Sequence, residues 1–210
     1  MTLPVSAVIQ AGGRSTRMGT DKAFVMLNGK PLIAHVIERL RQINPAELIV
    51  ISNQPHFPPE TFASFIPPDL PVYSDLAGVA REQGPLGGIL TALHYAQSDN
   101  VIVVGCDMPF INPRLLTYII ELQLTASASY RAIVPRWQGQ YEGLHALYHR
   151  DCRSIIQHQL ETGRLRLADL FSMVNTRVID EAECAAFDPD GRSFININTP
   201  GELVVASSEL

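Results

Sequence analysis

Val5-Ser6-Ala7-Val8-Ile9-Gln10 runs directly into Ala11-Gly12-Gly13-Arg14-Ser15-Thr16-Arg17-Met18-Gly19-Thr20-Asp21-Lys22. The first six residues read as a buried β-strand. The next twelve bring three glycines, two arginines and a lysine. Glycine lets a backbone take positive φ and approach a ligand closely. Successive main-chain N–H groups in such a turn form a concavity for anions. Arginine and lysine add charge suited to phosphate oxygens. The stretch therefore predicts a strand followed by a loop that holds a nucleotide triphosphate. It is not the Walker loop, because Lys22 precedes Ala23 and the magnesium-binding hydroxyl is missing. The G-x-G-x-x-G spacing of the dinucleotide fingerprint is also absent.

Outward from this stretch, strands and helices alternate. Pro31 predicts the start of an amphipathic helix carrying Leu32, Ile33, Val36, Ile37 and Leu40, ended by Asn44-Pro45. Leu48–Ile51 reads as a second buried strand, followed by Ser52-Asn53 and a proline-rich connection. A short strand, Pro71–Ser74, leads to Asp75. Gly84-Pro85 opens a helix through Leu86, Ile89, Leu90 and Leu93. Val101–Val104 is a fully apolar strand ending at Gly105-Cys106-Asp107, and Pro113 opens a helix with Leu115, Leu116, Ile119 and Ile120. Apolar strands separated by helices imply a parallel sheet covered on both faces. Ligands of such sheets sit beyond the carboxyl ends of the strands, where the glycine loop, Asp75 and Asp107 converge.

The second half changes character. Ala132–Pro135 and Gly143–Tyr148 predict strands joined through Trp137–Gln140, so the sheet should be mixed. Asp151 is placed to cap a helix through Leu160. Gly163–Leu167 starts a further short helix, Val174–Ile179 reads as a strand, and Phe194–Thr199 as a strand end before a last helix, Pro200–Val205. On that strand Asn196 and Asn198 would share one face and Ile195 and Ile197 the other.

The chain has 210 residues, a net charge of −5 and 46% hydrophobic residues. Such a composition fits an ordinary globular protein and argues against general nucleic-acid binding, which needs a basic face. Cys106, Cys152 and Cys184 are odd in number and lack metal-ligand spacing, as expected of reduced thiols in the cytoplasm. No signal peptide or bilayer-spanning run is expected. Asp107, just past an apolar strand, is placed to hold Mg²⁺ together with phosphate oxygens. Asp75 alone reads equally well as a turn residue. His145 reads either as a lining of the acceptor pocket or as a core histidine, and Cys106 as packing. No Ser-His-Asp or Cys-His nucleophilic arrangement stands out.

Together, the 11–22 stretch, Asn28-Gly29-Lys30-Pro31-Leu32, Gly84-Pro85-Leu86-Gly87-Gly88, Cys106-Asp107-Met108-Pro109-Phe110 and Asn196-Ile197-Asn198-Thr199-Pro200 resemble the molybdenum cofactor guanylyltransferase (MobA) family of nucleotidyltransferases. The resemblance implies a Rossmann-like three-layer α/β sandwich with a mainly parallel mixed sheet. It implies one nucleotidyltransferase domain, 1–210, with residues 1–125 mostly binding nucleotide and 126–210 mostly binding acceptor. The family reaction moves GMP from GTP to the terminal phosphate of molybdopterin. Gln10, Ala11, Gly12 and Gly13 would then contact the nucleotide through their backbone, with Asn53, Asp75 and Gly84 beside them. Lys22 would bind triphosphate oxygens, Arg17 and Lys22 would stabilise the leaving pyrophosphate, and Asp107 would hold Mg²⁺. His145, Asn196 and Asn198 would face the pterin. Proteins that deliver molybdopterin or receive the product would be partners, and neither nucleic acid nor membrane would be. The alternative is a sister transferase using CTP or another phosphorylated acceptor; a different class is a guanine-nucleotide sensor without catalysis. Gln10 stands where the family usually has Leu, and Gly143 where many relatives have Pro.

Overall fold

The computed structural model describes residues 2–11, 21–54, 56–76, 84–127 and 129–208. Gly12, Gly13 and Arg17, three of the expected site residues, lie outside them. Strand β1 (Leu3–Gln10) is followed by a short hairpin, β2 (Met26–Leu27) and β3 (Lys30–Pro31), and by helix α1 (Leu32–Gln42). Strands β4 (Pro45–Ile51) and β5 (Val72–Tyr73), helix α2 (Gly84–Tyr95), strand β6 (Asn100–Gly105) and helix α3 (Pro113–Thr125) complete the first half. The second half holds β7 (Ala132–Trp137), β8 (Gln140–Tyr141), β9 (His145–His149), α4 (Cys152–Glu161), α5 (Leu167–Met173), β10 (Thr176–Ile179), α6 (Glu181–Ala185) and α7 (Pro200–Ser207).

One sheet runs through both halves in the order β10-β7-β9-β6-β1-β4-β5, with β8 paired to β7. Strands β5, β4, β1 and β6 are mutually parallel, β9 is antiparallel to both β6 and β7, and β10 is parallel to β7. The mixed sheet is thus parallel except for β9 and β8. Because side chains alternate along a strand, β1 feeds two cores. Val5, Ala7 and Ile9 pack with α1 and α3 through Ile33, Val36, Leu116 and Ile119. Val8 packs on the other face with Leu86, Ile89 and Leu90 of α2 and with Ile156 of α4. The result is a three-layer α/β sandwich, as the unalternating strands required.

Some expectations need correcting. Residues 195–198 belong to no strand, so the strand expected there does not form. Instead, Ile197 N–H donates to the Asp107 carbonyl at 3.0 Å and its side chain is fully buried against Leu27, Leu32 and Phe110. Pro31 precedes α1 as its cap rather than starting it, and belongs to the hairpin strand β3. Asp151 precedes α4 but makes no side-chain cap, because its carboxylate pairs with Arg131. Helix α6 went unexpected, although Asp180 and Glu183 form a reciprocal capping box there.

Candidate active site

The carboxyl ends of β4, β1 and β6 lie side by side, with Gln10 opposite Ile51 and Gly105. Past β6 the chain turns so that the Asp107 carboxylate folds back over Gly105, where a Cβ would collide with Oδ1. Glycine at 105 is what allows this approach. Lys22 starts a one-turn 3₁₀ helix, Lys22–Phe24, whose cap is Asp21, accepting from Ala23 N–H at 3.0 Å. The buried Ala23 and Phe24 anchor that turn and leave the lysine directed at the strand ends. The Lys22 ammonium donates to the Asp107 carboxylate and to Asn198 Oδ1, the latter at 2.5 Å. Lys22 and Asp107 side chains are 16% and 18% exposed, so the pair is shielded yet reachable.

Asn198 is held from behind. Its N–H and that of Thr199 donate to Glu202 Oε2 at 2.6 and 2.9 Å, while Thr199 Oγ1 accepts from Glu202 N–H, a capping box opening α7. These backbone donors hold the Glu202 carboxyl below its ordinary range, with burial opposing them. The signal was legible as Thr199-x-x-Glu202. Asn196 turns instead toward its own backbone: its Nδ2 donates to the Phe194 carbonyl at 3.2 Å, and its carbonyl accepts from Asn198 Nδ2.

A second polar pair stands two lanes away. Asn53 Nδ2 donates to Asp75 Oδ2 at 2.5 Å, and Asp75 N–H donates to Asn53 Oδ1 at 2.9 Å. Leu76 N–H donates to Thr91 Oγ1 at 3.3 Å, tying this turn to α2. Gly84, at the exposed start of α2, has φ +60°. Two of the main-chain groups expected to serve the nucleotide at 10 and 11 are engaged within the sheet. Ala11 N–H donates to the Ile51 carbonyl at 2.8 Å, and the Gln10 carbonyl accepts from Cys106 N–H at 3.0 Å. What Gln10 still offers is its side chain.

His145 does not reach the cleft surface. It is fully buried, edge-on to Phe194 at 5.3 Å, and its pKa is lowered to about 4 by burial, against the opposing charge of Asp188. Glu142, which sequence reasoning passed over, precedes it at the same sheet edge; burial pushes its carboxyl up to about 7. Cys106 is buried, and that burial raises its thiol well above the ordinary range, so it is inert packing, as expected. A shallow concavity lined by Arg131, Asp151, Ser154 and Asn175 lies at the opposite edge, where β7 and β10 begin, and contains none of these residues.

Asp107 and Asn198 present a carboxylate and an amide oxygen to one point, which the Lys22 ammonium occupies and would give up to a bound metal. Hard oxygen donors with a single carboxylate suit a divalent cation that takes its remaining ligands from phosphate and water. Among the described residues no group of three His, Cys, Asp or Glu side chains gathers to enclose a metal alone. No described helix is long and apolar enough to cross a membrane.

The sequence profile of the MobA-like NTP transferase domain matches residues 7–176. A protein of Natranaerobius thermophilus named probable molybdenum cofactor guanylyltransferase is 36% identical over 211 residues, covering 100% of this chain and 98% of its own. A molybdenum cofactor guanylyltransferase of Syntrophotalea carbinolica is 36% identical, covering 92% of this chain and 86% of its own. The crystal structure of molybdopterin-guanine dinucleotide biosynthesis protein A from Archaeoglobus fulgidus superposes with a TM-score of 0.79 at 25% identity, over 97% of each chain. A cytidylyltransferase from Thermus thermophilus shares the fold, with a TM-score of 0.67 at 18% identity over 100% of this chain and 98% of its own. With the profile spanning most of the chain, and relatives above 30% identity along nearly its whole length, this protein belongs to the family of MobA-like NTP transferase domains.

Proposed function

We propose that this protein transfers GMP from GTP to the terminal phosphate of molybdopterin, giving molybdopterin guanine dinucleotide and pyrophosphate. The observation that carries the chemistry is the gathering of Lys22, Asp107 and Asn198 from three distant parts of the chain. The relatives named above support guanylyl rather than cytidylyl transfer. An acceptor phosphate oxygen attacks the α-phosphorus of GTP; the bond to the bridging α–β oxygen breaks, and pyrophosphate leaves with the electron pair. A phosphate monoester has its second pKa near ~6 and is already ionised at neutral pH. No general base is required, and the work of the protein is alignment and charge neutralisation.

Lys22, with Arg17 from the glycine loop, stabilises charge moving onto the pyrophosphate. Asp107 and Asn198 would hold Mg²⁺, which when bound neutralises phosphate oxygens. Asn53, Asp75 and Gly84 flank the nucleoside side, while Asn196 and Asn198 border the acceptor. In this reading residues 1–125 supply most of the nucleotide side and 126–210 most of the acceptor side of one domain, 1–210. The three free, buried cysteines fit a reducing cytoplasm. Proteins that hand over molybdopterin or collect the product are the partners this role requires.

The test is incubation with Mg²⁺, molybdopterin and either GTP or CTP, following pyrophosphate release and the dinucleotide product. Product with GTP alone is expected. Product with CTP alone, or GTP binding without any adduct, would overturn the proposal.

A further inference from the structure

Gln10 ends β1 between Ile51 and Gly105, midway between the Asn53–Asp75 pair and the Lys22 cluster. Its side chain leaves the strand on the side of Val8, which α2 covers. There the carboxamide lies against Gly88, in the second turn of α2. A Cβ at position 88 would sit 2.5 to 2.6 Å from Cδ, Oε1 and Nε2 together, so a larger residue there would force the carboxamide out of this placement. The residue keeps a partly exposed surface, yet Nε2 is buried with no hydrogen-bond partner among the described residues. An orphaned buried donor destabilises a fold, and a leucine could occupy this volume without that penalty. The carboxamide therefore has a donor that the described protein groups do not use, at the end of β1 between the two polar clusters, packed onto Gly88 of α2.

We infer that the Gln10 carboxamide reads the base of the nucleotide, pairing its donor and acceptor with O6 and N1–H of guanine. The inference rests on GTP being the nucleotide, as proposed above, and adds the group that recognises its base. A carboxamide presents an adjacent donor and acceptor, and the guanine edge presents the matching acceptor and donor. A phosphate presents acceptors only, so it would satisfy Nε2 and repel Oε1. Lys22 and Asp107 already mark the phosphate side, one lane away. A site built around a polar edge loses affinity when the ligand lacks that edge.

The experiment measures binding by calorimetry in the full chain with Mg²⁺ and no acceptor. Wild type, Gln10→Leu and Gln10→Glu are titrated with GTP and with the triphosphate of 2-aminopurine riboside, which lacks O6 and N1–H. Gln10→Leu is expected to bind GTP ~10-fold more weakly, the equivalent of one good hydrogen-bonded contact, and the analogue within about twofold of wild type. Gln10→Glu, which sets a carboxylate against O6, is expected to lose more than Gln10→Leu. Without nucleotide, Gln10→Leu should melt no lower than wild type, because it removes the orphan. Equal weakening toward both nucleotides, unchanged GTP affinity, or a lowered melting temperature would each overturn the inference. A wild type with no preference for GTP over CTP and ATP would instead overturn the guanylyl reading itself.

Discussion

Replacing His145 by leucine should make the protein more tolerant of acid. Among the described residues neither ring nitrogen of His145 has a hydrogen-bond partner, and the ring is fully buried on β9 against Phe194. Burial lowers its pKa from 6.5 to about 4, with the Asp188 carboxylate opposing that shift. Asp188 is itself committed to the N–H groups of Arg192 and Ser193, at 3.1 and 2.6 Å. A depressed histidine pKa means that the unfolded chain binds the proton better. The stability so contributed is present above pH 6.5 and lost as pH falls through about 4. The whole displacement is worth about 3 kcal/mol. Between about pH 7.5 and about pH 5 the linkage relation gives a loss of about 2 kcal/mol from this side chain alone. Urea unfolding at the two pH values measures it, followed by fluorescence of the sole tryptophan, Trp137, which packs against Phe194 at 5.4 Å. Every other titrating group is common to both proteins, so the difference between wild type and His145→Leu isolates the histidine. Wild type should lose about 2 kcal/mol more than the variant on acidification, and the variant should be at least as stable at the higher pH. Equal losses in the two proteins would refute the picture of a neutral histidine held without partners.

Asp107→Asn should abolish dinucleotide formation while leaving the melting temperature within a few degrees of wild type; ordinary turnover at ordinary Mg²⁺ would remove Asp107 as the metal ligand. Lys22→Met deletes a charge-assisted contact worth about 1.5–3 kcal/mol, so calorimetric affinity for GTP should fall ~10- to 100-fold; an unchanged affinity would sink the triphosphate assignment. Glu142→Gln should remove a pH dependence of opposite sign to that of His145. A carboxyl raised to about 7 adds stability below its ordinary 4.5 and loses it as pH rises through 7. The variant's unfolding midpoint should therefore rise relative to wild type across that window, and parallel midpoints would show that Glu142 is not desolvated.

The strands were readable because this sheet is covered on both faces. Val8 and Ile9 are adjacent and both fully buried, in different cores, so β1 reads as an unbroken apolar run. The convergence of strand ends then placed Lys22 and Asp107 in one cleft. Asn198 was also legible, but for a different reason from the one offered. Pairing in a strand was expected; the segment is instead pinned by one bond to the Asp107 carbonyl, by burial of Ile197 and by the α7 capping box. Alternation of Asn and Ile could not separate the two, because any extended chain alternates its faces. Of the two readings open for His145 the structure bears out the core one. What neither it nor Glu142 disclosed in sequence is the shifted titration, which comes from burial and so depends on how Phe194 and the β8–β9 turn pack rather than on neighbours in sequence.

Glycines at 88 and 105 connect the fold to the proposed chemistry. Each sits in an ordered element, where glycine sacrifices roughly 0.5–1 kcal/mol against alanine. Each has a polar side chain laid onto it: Gln10 onto Gly88 of α2, and Asp107 onto Gly105 of β6. A methyl group at either position would collide first with that polar group, Gln10 or Asp107, and at position 105 would also rest against the buried Met108. The backbone is thus cut back where the two side chains must lie close, one in the lane of β1 and the other past β6. The reversed strand β9 extends the same edge on the side proposed for the acceptor, since it begins where its neighbours end: the Leu144 carbonyl accepts from Gly105 N–H at 3.2 Å. In the function proposed here, nucleotide and acceptor meet across adjacent lanes of one sheet. In-line transfer between two bound phosphates needs such fixed alignment, and needs no closing movement between domains to supply it.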